Sequence, residues 1–188
     1  MRFASCTGWR VQSEVLTLTW ANVDLDAGLV RLEPGTTKNS EGRAFPFDAL
    51  PALAALLHEQ RARTAAVERA TGALVPWVFH RNGRPIKSYR RAWASACRRA
   101  ATEARGGVRV VARPHLAGRI VHDLRRTAVR NLERAGVPRS VAMQLTGHKT
   151  ESVYRRYAIV AEADLREGVA KLATLAGLAP RPAAGQVG

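Results

Sequence analysis

The sequence has little of what disulfide scaffolds, metal centres and membrane proteins require. Its two cysteines, Cys6 and Cys97, lack the Cys-x-x-Cys spacing of a metal or redox site, so we expect reduced thiols in a cytoplasmic protein. No apolar run reaches the roughly 20 residues of a membrane-spanning helix, and the first six residues are too polar for a signal peptide. The sequence therefore argues against a secreted disulfide-rich domain and against a membrane protein.

Acidic residues are also scarce. The chain carries 30 lysines and arginines against 15 aspartates and glutamates, a net charge of +15 at pH 7, and its pI is about 11.4. Such an excess predicts a polyanionic partner, and nucleic acid is favoured over a membrane because no segment resembles a basic amphipathic anchor. The alternative is a ribosome-associated or generally basic protein. At 188 residues the chain suits one domain with its own hydrophobic core.

Lysine is the scarcest of the common charged residues. Only four of the basic residues are lysines, the other 26 being arginines. Arginine does not donate a proton near neutral pH, whereas the environment can tune a lysine to do so. Lys38, which falls in a predicted hairpin loop, is therefore singled out as a candidate functional residue.

The order of apolar periodicity and turn residues predicts an α+β domain. Two strands joined by an Asp/Gly turn are expected over residues 23–32 and a third over 43–47, with Lys38 near the turn between the last two. Helices are expected over residues 13–20, 51–70, 88–105, 120–135, 139–146, about 150–157 and 163–175, with a loop over 106–118. The predicted fold is mostly α-helical with a small three-stranded antiparallel sheet near the N-terminus. One domain would cover residues 1–178, followed by a disordered tail, 179–188.

The first candidate motif pairs an imidazole with a guanidinium. His122 and Arg125 are three residues apart, so on a helix they share one face, beside the apolar stripe. Alone, such a pair is usually an ordinary surface pair. Its functional interpretation is a clamp on one phosphate group, with the forked donors of the guanidinium facing the oxygens.

A second motif lies at a helix end. Gly147 is typical of a helix C-cap, and His148 follows it, either as an exposed residue or as a donor to a phosphate oxygen. Tyr157 lies nine residues further on, and Tyr154 is the rival phenol in the same segment. Most tyrosines near helix ends are packing residues, whereas a phenol beside cationic groups can serve as a nucleophile.

The third motif is Arg10 with Glu14 four residues later. An ordinary helical ion pair is the simple explanation. The functional interpretation is a second phosphate clamp whose guanidinium is oriented by the carboxylate.

Taken in order, these motifs resemble the catalytic domain of tyrosine recombinases, the phage integrase family. The resemblance covers about residues 5–176 and depends on five features: Thr7-Gly8-x-Arg10, the hairpin Lys38, His122-x-x-Arg125, Gly147-His148 and Tyr157. It implies the recombinase catalytic-domain fold and double-stranded DNA as partner. It also implies a chemistry that needs neither cofactor nor metal, and a tetramer formed on DNA through the C-terminal helix. In this chain that helix could instead pack onto its own domain.

The resemblance also implies roles for the site residues. Arg10 and Arg125 would hold the scissile phosphate, and His122 and His148 would complete its donors. Lys38 would protonate the leaving 5′-oxygen. Tyr157 would attack to form a 3′-phosphotyrosyl intermediate. The family's spacing between the Gly-His pair and the nucleophile favours Tyr157 over Tyr154.

Two departures from the family pattern are visible. The acidic residue usually comes three positions after the first arginine, whereas Glu14 comes four after Arg10. Only six residues precede Thr7, so we also expect the N-terminal DNA-clamp domain of the family to be missing. The alternative function is therefore a catalytically impaired DNA-binding remnant of an integrase, with a phosphatase or another type of nuclease a distant third.

Overall fold

The computed structural model describes residues 1–35, 42–105, 108–157 and 162–175. Near the N-terminus, β1 (Val23–Asp24), β2 (Leu29–Leu32) and β3 (Arg43–Pro46) form an antiparallel sheet in the order β1-β2-β3. Val30 of β2 pairs with Phe45 of β3, and both side chains are buried. Because side chains alternate between the faces of a strand, this register turns one face of the sheet toward the core. The predicted three-stranded sheet is confirmed.

Seven α-helices are present in the described part of the chain. They are α1 (Arg2–Thr7), α2 (Pro51–Thr71), α3 (Arg90–Ala101), α4 (Asp123–Arg134), α5 (Arg139–Thr146), α6 (Glu151–Arg155) and α7 (Glu162–Leu175). Short 3-10 turns cover Trp20–Asn22 and Pro114–Leu116. The predicted helical character and the bounds of α5 are confirmed, and the predicted tail over 179–188 lies outside the described residues.

Two hairpins form separate two-stranded sheets in the described part of the chain. β4 (His80–Arg81) pairs with β5 (Arg84–Pro85), and β6 (Thr102–Arg105) pairs with β7 (Val108–Val111). The second hairpin corrects two predictions, the continuation of the third long helix to residue 105 and the loop over residues 106–118. The sequence explains the difference, because two consecutive glycines at 106 and 107 disfavour a helix while the valines that follow favour a strand.

The main core lies between α1, the three-stranded sheet and α2. Phe3, Trp9, Phe45, Leu53 and Leu57 are each at most 5% exposed. Trp9 meets Phe3 and Phe45 edge to face, with ring centroids 5.6 and 6.5 Å apart. A smaller core joins α4, α5 and α6. Arg10 is therefore anchored next to a residue of the main core, Trp9.

The segment after α1 makes a π-turn rather than the predicted helix over residues 13–20. The turn covers Val11–Val15, and the amide of Leu16 donates to the carbonyl of Val11 at 2.9 Å, five residues back. A π-turn holds one more residue per turn than an α-helix and is common at functional sites. Here it changes the direction in which the side chain of Glu14 points, four residues after Arg10.

The last helix shows an uncovered apolar face. Leu165, Val169, Leu172 and Leu175 of α7 are between 61% and 87% exposed. A helix with an apolar stripe normally buries it, so packing of this stripe onto its own domain is not what the structure shows. None of the helices in the described part of the chain is both long enough and apolar enough to cross a membrane.

Candidate active site

Arg125 forms the floor of the site. It lies in the first turn of α4 and is 2% exposed. Its Nη1 donates to the carbonyl oxygens of Gly8 at 2.5 Å and Thr146 at 2.7 Å. Gly8 ends α1 with a left-handed backbone, and a Cβ there would lie 2.9 Å from the Thr146 methyl group. The close approach of α1 to α5 thus places two carbonyls around one guanidinium.

One donor of this guanidinium remains available. Burial, followed by the charge of Arg10, lowers the Arg125 pKa to about 10, so the side chain is still charged at neutral pH. Its Nη2 is buried and has no hydrogen-bond partner among the residues that the structure describes. Buried donors are nearly always satisfied in proteins. An anion bound above Arg125 would satisfy this one.

His148 holds Arg125 from the other side. The Nε of Arg125 donates to Nε2 of His148 at 3.2 Å, and Nδ1 of His148 lies 2.7 Å from the Thr146 hydroxyl. That hydroxyl donates to the carbonyl of Ala142 at 2.7 Å, so it accepts the proton from Nδ1. Burial and the neighbouring Arg125 lower the His148 pKa to about 3. The imidazole is neutral, and in this arrangement it orients the arginine instead of offering a free N–H to a phosphate.

Tyr157 reaches the same group of side chains. Its hydroxyl lies 2.8 Å from Nε2 of His122, and its ring centroid lies 5.0 Å from that of His148 and 6.0 Å from Cζ of Arg125. Partial burial and the charge of Arg125 lower the His122 pKa, which favours the neutral imidazole. Such a ring can accept a proton from the phenol.

Tyr154 occupies a different environment. Its side chain is completely buried in the smaller core, whereas Tyr157 is half-buried. Burial, and then the carboxyl of Glu133, raise the Tyr154 pKa above its usual value. The rival phenol is therefore sealed from solvent and held in its protonated form.

Arg10 is oriented by Glu14. The carboxylate of Glu14 is completely buried, accepts from Arg10 Nη1 at 2.7 Å and also accepts from the Arg10 backbone amide at 2.6 Å. Burial raises the Glu14 pKa, but Arg43 and Arg10 together hold it below its usual range. The π-turn brings a residue four positions on back to the amide of residue 10. The orienting contact is made despite the changed spacing.

Arg43 is a residue of the site that sequence reasoning missed. It begins β3, its side chain is 7% exposed, and its guanidinium pairs with Glu14. Strand alternation carried the signal, because Arg43 stands two residues before the buried Phe45 and so shares its inward face. A basic residue on the core face of a strand requires a buried partner.

The remaining predicted residues are placed as follows. Arg10, His122 and Arg125 line one cavity of about 630 Å³, which has aromatic walls that include Trp9 and Trp93. The other two predicted residues join this group through side-chain contacts, Tyr157 with His122 and His148 with Arg125. Lys38 lies outside the described residues. The assembled groups can bind an anion and place the phenol of Tyr157 next to it.

Comparison with family models gives one match. The model of the phage integrase family matches residues 1–164, which include every one of the site residues above. A comparison with proteins of curated function finds no match.

Solved structures share the fold at low sequence identity. The crystal structure of XerA recombinase is 20% identical with a TM-score of 0.59, and the match covers 95% of this chain and 57% of that one. A Tn1549 transposon integrase bound to a circular intermediate DNA is 16% identical with a TM-score of 0.63, covering 90% and 56%. The XerH site-specific recombinase bound to its difH substrate is 16% identical with a TM-score of 0.56, covering 90% and 44%. This chain thus spans about half the length of the recombinases it resembles.

Proposed function

The chain belongs to the phage integrase family, and on this premise we propose that it cuts and rejoins DNA in site-specific recombination. The reaction is a transesterification through a covalent 3′-phosphotyrosyl DNA intermediate. One observation carries the proposal. The accessible phenol of Tyr157 is hydrogen-bonded to His122 beside Arg125, whose buried Nη2 is without a partner in the described part of the chain.

The proposed phosphate site is formed by two arginines. Arg125 presents its buried Nη2, and Arg10 presents the part of its guanidinium that Glu14 does not occupy. Charge fixed in a largely buried site stabilises a pentacoordinate phosphate more than charge in water does, and each such donor contributes about 100- to 1,000-fold in rate. His148 keeps the plane of Arg125 in place through the Nε contact.

Tyr157 is the proposed nucleophile. Its oxygen forms a bond to phosphorus while the bond from phosphorus to the 5′-oxygen breaks. The phenolic proton passes to Nε2 of His122, which lies 2.8 Å away. Lys38 then supplies the proton that the leaving 5′-oxygen needs, a role assigned from the sequence resemblance alone. Attack by a 5′-hydroxyl on the phosphotyrosine reverses the step, so the bond energy is conserved.

Double-stranded DNA is the proposed partner. The net charge of +15 supplies the electrostatic part of binding. Two of the structural neighbours, the Tn1549 integrase and XerH, are bound to DNA in their structures. DNA affinity should fall steeply with salt because binding releases counterions.

Assembly of several copies on DNA is proposed to use α7. Its apolar stripe of Leu165, Val169, Leu172 and Leu175 is exposed in the single chain. Exposed apolar surface of this kind usually marks a site of protein contact. A second copy of the chain would cover the stripe, as in the tetramer that the family resemblance implies.

A suicide substrate tests the proposed chemistry. The duplex carries the recombination site of the element that encodes the chain and a nick just beyond the scissile phosphate, so that the 5′-leaving fragment diffuses away. Wild-type protein and the Tyr154→Phe variant should accumulate a covalent protein–DNA adduct on denaturing gels, and Tyr157→Phe should form none. Salt-sensitive DNA binding without an adduct in wild type would instead support the impaired-remnant function. An adduct that persists in Tyr157→Phe would refute the assignment of the nucleophile.

A further inference from the structure

Arg43 is a buried cation without a role in the chemistry proposed above. Its side chain is 7% exposed at the start of β3. Removing a guanidinium from water is unfavourable unless partners compensate for the lost hydration. A buried Arg43 therefore needs compensating partners, which a surface arginine would not need.

Two groups hold the guanidinium in one orientation. The edge of its plane pairs with the completely buried carboxylate of Glu14. The guanidinium lies over the ring of Trp9, with Cζ 5.1 Å from the ring centroid. A planar, forked cation can stack and pair at the same time, which a lysine ammonium does less well. Arg43 therefore helps to fix Glu14, whose other carboxylate oxygen accepts from Nη1 of Arg10.

The same guanidinium packs on the backbone of Gly147. This residue has φ +70°, and a Cβ placed there would lie 2.6 Å from Cζ of Arg43. Both the left-handed conformation and the close approach require glycine. Gly147 immediately precedes His148, whose ring accepts from Arg125. The position of Arg43 therefore helps to set the position of that imidazole.

We propose that Arg43 is a positioning residue for strand cleavage, which holds the Arg10 guanidinium through Glu14 and the His148 ring through Gly147. From β3, Arg43 contacts Glu14 in the π-turn and Gly147 at the end of α5. In this proposal it does not contact the substrate. This inference rests on the proposed function. Errors of about 1 Å in the placement of reacting groups cost about 100-fold in rate, so the effect should appear in the cleavage step.

The test compares two variants with a matched control. Arg43→Met removes the charge and the fork, and Arg43→Lys keeps the charge alone. Arg31→Met is the control, since Arg31 lies on the same sheet with 46% of its side chain exposed and its nearest carboxylate at 3.8 Å. At saturating DNA, Arg43→Met should form the covalent adduct about 100-fold more slowly. Arg43→Lys should fall between Arg43→Met and wild type, and Arg31→Met should match wild type.

A second substrate separates positioning of the phosphate from help to the leaving group. With a 5′-bridging sulfur the leaving thiolate needs no proton, so Lys38→Ala should recover on it. Arg43→Met should stay equally slow on both substrates. Recovery of Arg43→Met on the sulfur substrate, or a rate at saturating DNA within threefold of wild type, would overturn the proposal. If Arg43→Met does not fold by near-UV circular dichroism, the same criteria apply to Arg43→Lys.

A measurement without cleavage keeps the two proposals distinguishable. If wild type forms no adduct, the proposed function fails, and the Arg43 inference is then judged by binding of inorganic phosphate in a calorimeter. Arg43→Met should bind phosphate about tenfold more weakly than wild type, since a displaced clamp loses about one charge-assisted hydrogen bond. Arg31→Met should bind it as wild type does. Equal affinity in Arg43→Met, or no phosphate binding by wild type, would overturn the Arg43 inference.

Discussion

Replacing Glu14 by glutamine tests how much of the fold depends on the carboxylate beneath the site. The carboxylate is completely buried and accepts from the amide and Nη1 of Arg10 at 2.6 and 2.7 Å, and it pairs with Arg43. Glutamine keeps the shape but removes the negative charge, which leaves the largely buried Arg43 without a counterion. Breaking a buried ion pair from one side costs about 3–5 kcal/mol.

The lower end of that range applies here. The Arg10 side chain is 27% exposed, so water screens its share of the interaction. We expect Glu14→Gln to lower the free energy of unfolding by about 3 kcal/mol. For a chain of this size that corresponds to a fall in Tm of about 6–12 °C.

The assay is thermal and urea unfolding followed by circular dichroism. Glu59→Gln is the matched control, since Glu59 pairs with Arg63 at 2.6 Å while 63% of its side chain is exposed, and it should change stability little. The folded-state pKa of Glu14 lies below its usual value of 4.5, so the carboxylate stabilises the fold above pH 4.5 and this contribution is lost as the pH falls. The difference between wild type and Glu14→Gln should therefore shrink below that pH. A loss under 1 kcal/mol, equal to that of the control, would refute the reasoning.

Two further predictions concern His122 and α7. Because the His122 pKa is lowered from 6.5, the ring stays neutral to lower pH, and the rate of adduct formation should fall only as the pH drops below 6.5. A pH–rate profile checks this, with His115→Gln as control, and an acid limb unchanged in His122→Gln would contradict it. Val169→Glu, 66% exposed on α7, should leave Tm unchanged but weaken assembly of copies on a two-site DNA by about tenfold, measured by sedimentation. Thr174→Glu on the same helix should assemble normally, and normal assembly of Val169→Glu would remove α7 from the interface.

Local sequence patterns were enough to predict part of this fold. The three-stranded sheet followed from strand periodicity around an Asp/Gly turn, and α5 followed from its flanking proline and Gly147. These elements depend on residues close together in the chain. The hairpin of β6 and β7 did not follow, because a helical pattern before it continues into its first strand and pairing partners are not visible in one window.

The site divides along the same line. Residue types and their order, from Arg10 to Tyr157, were enough to list the groups that meet around Arg125, and the phosphate clamp was expected from them. The family resemblance also favoured Tyr157 over Tyr154. The burial of Tyr154 agrees with that proposal, and it depends on how α4, α5 and α6 pack.

The amino-acid sequence by itself determined the charge of the protein, its local elements and the inventory of groups in its site. Only the tertiary structure decided which ring nitrogen of His148 carries the proton and how a π-turn brings Glu14 back to Arg10. It also showed that Arg43 belongs to the same network. Hydrogen bonding and burial are properties of contacts between distant segments, and Arg125 and Gly8 are 117 residues apart along the chain. Such contacts exist only once the whole core has formed, because each is stabilised by packing that no single segment supplies.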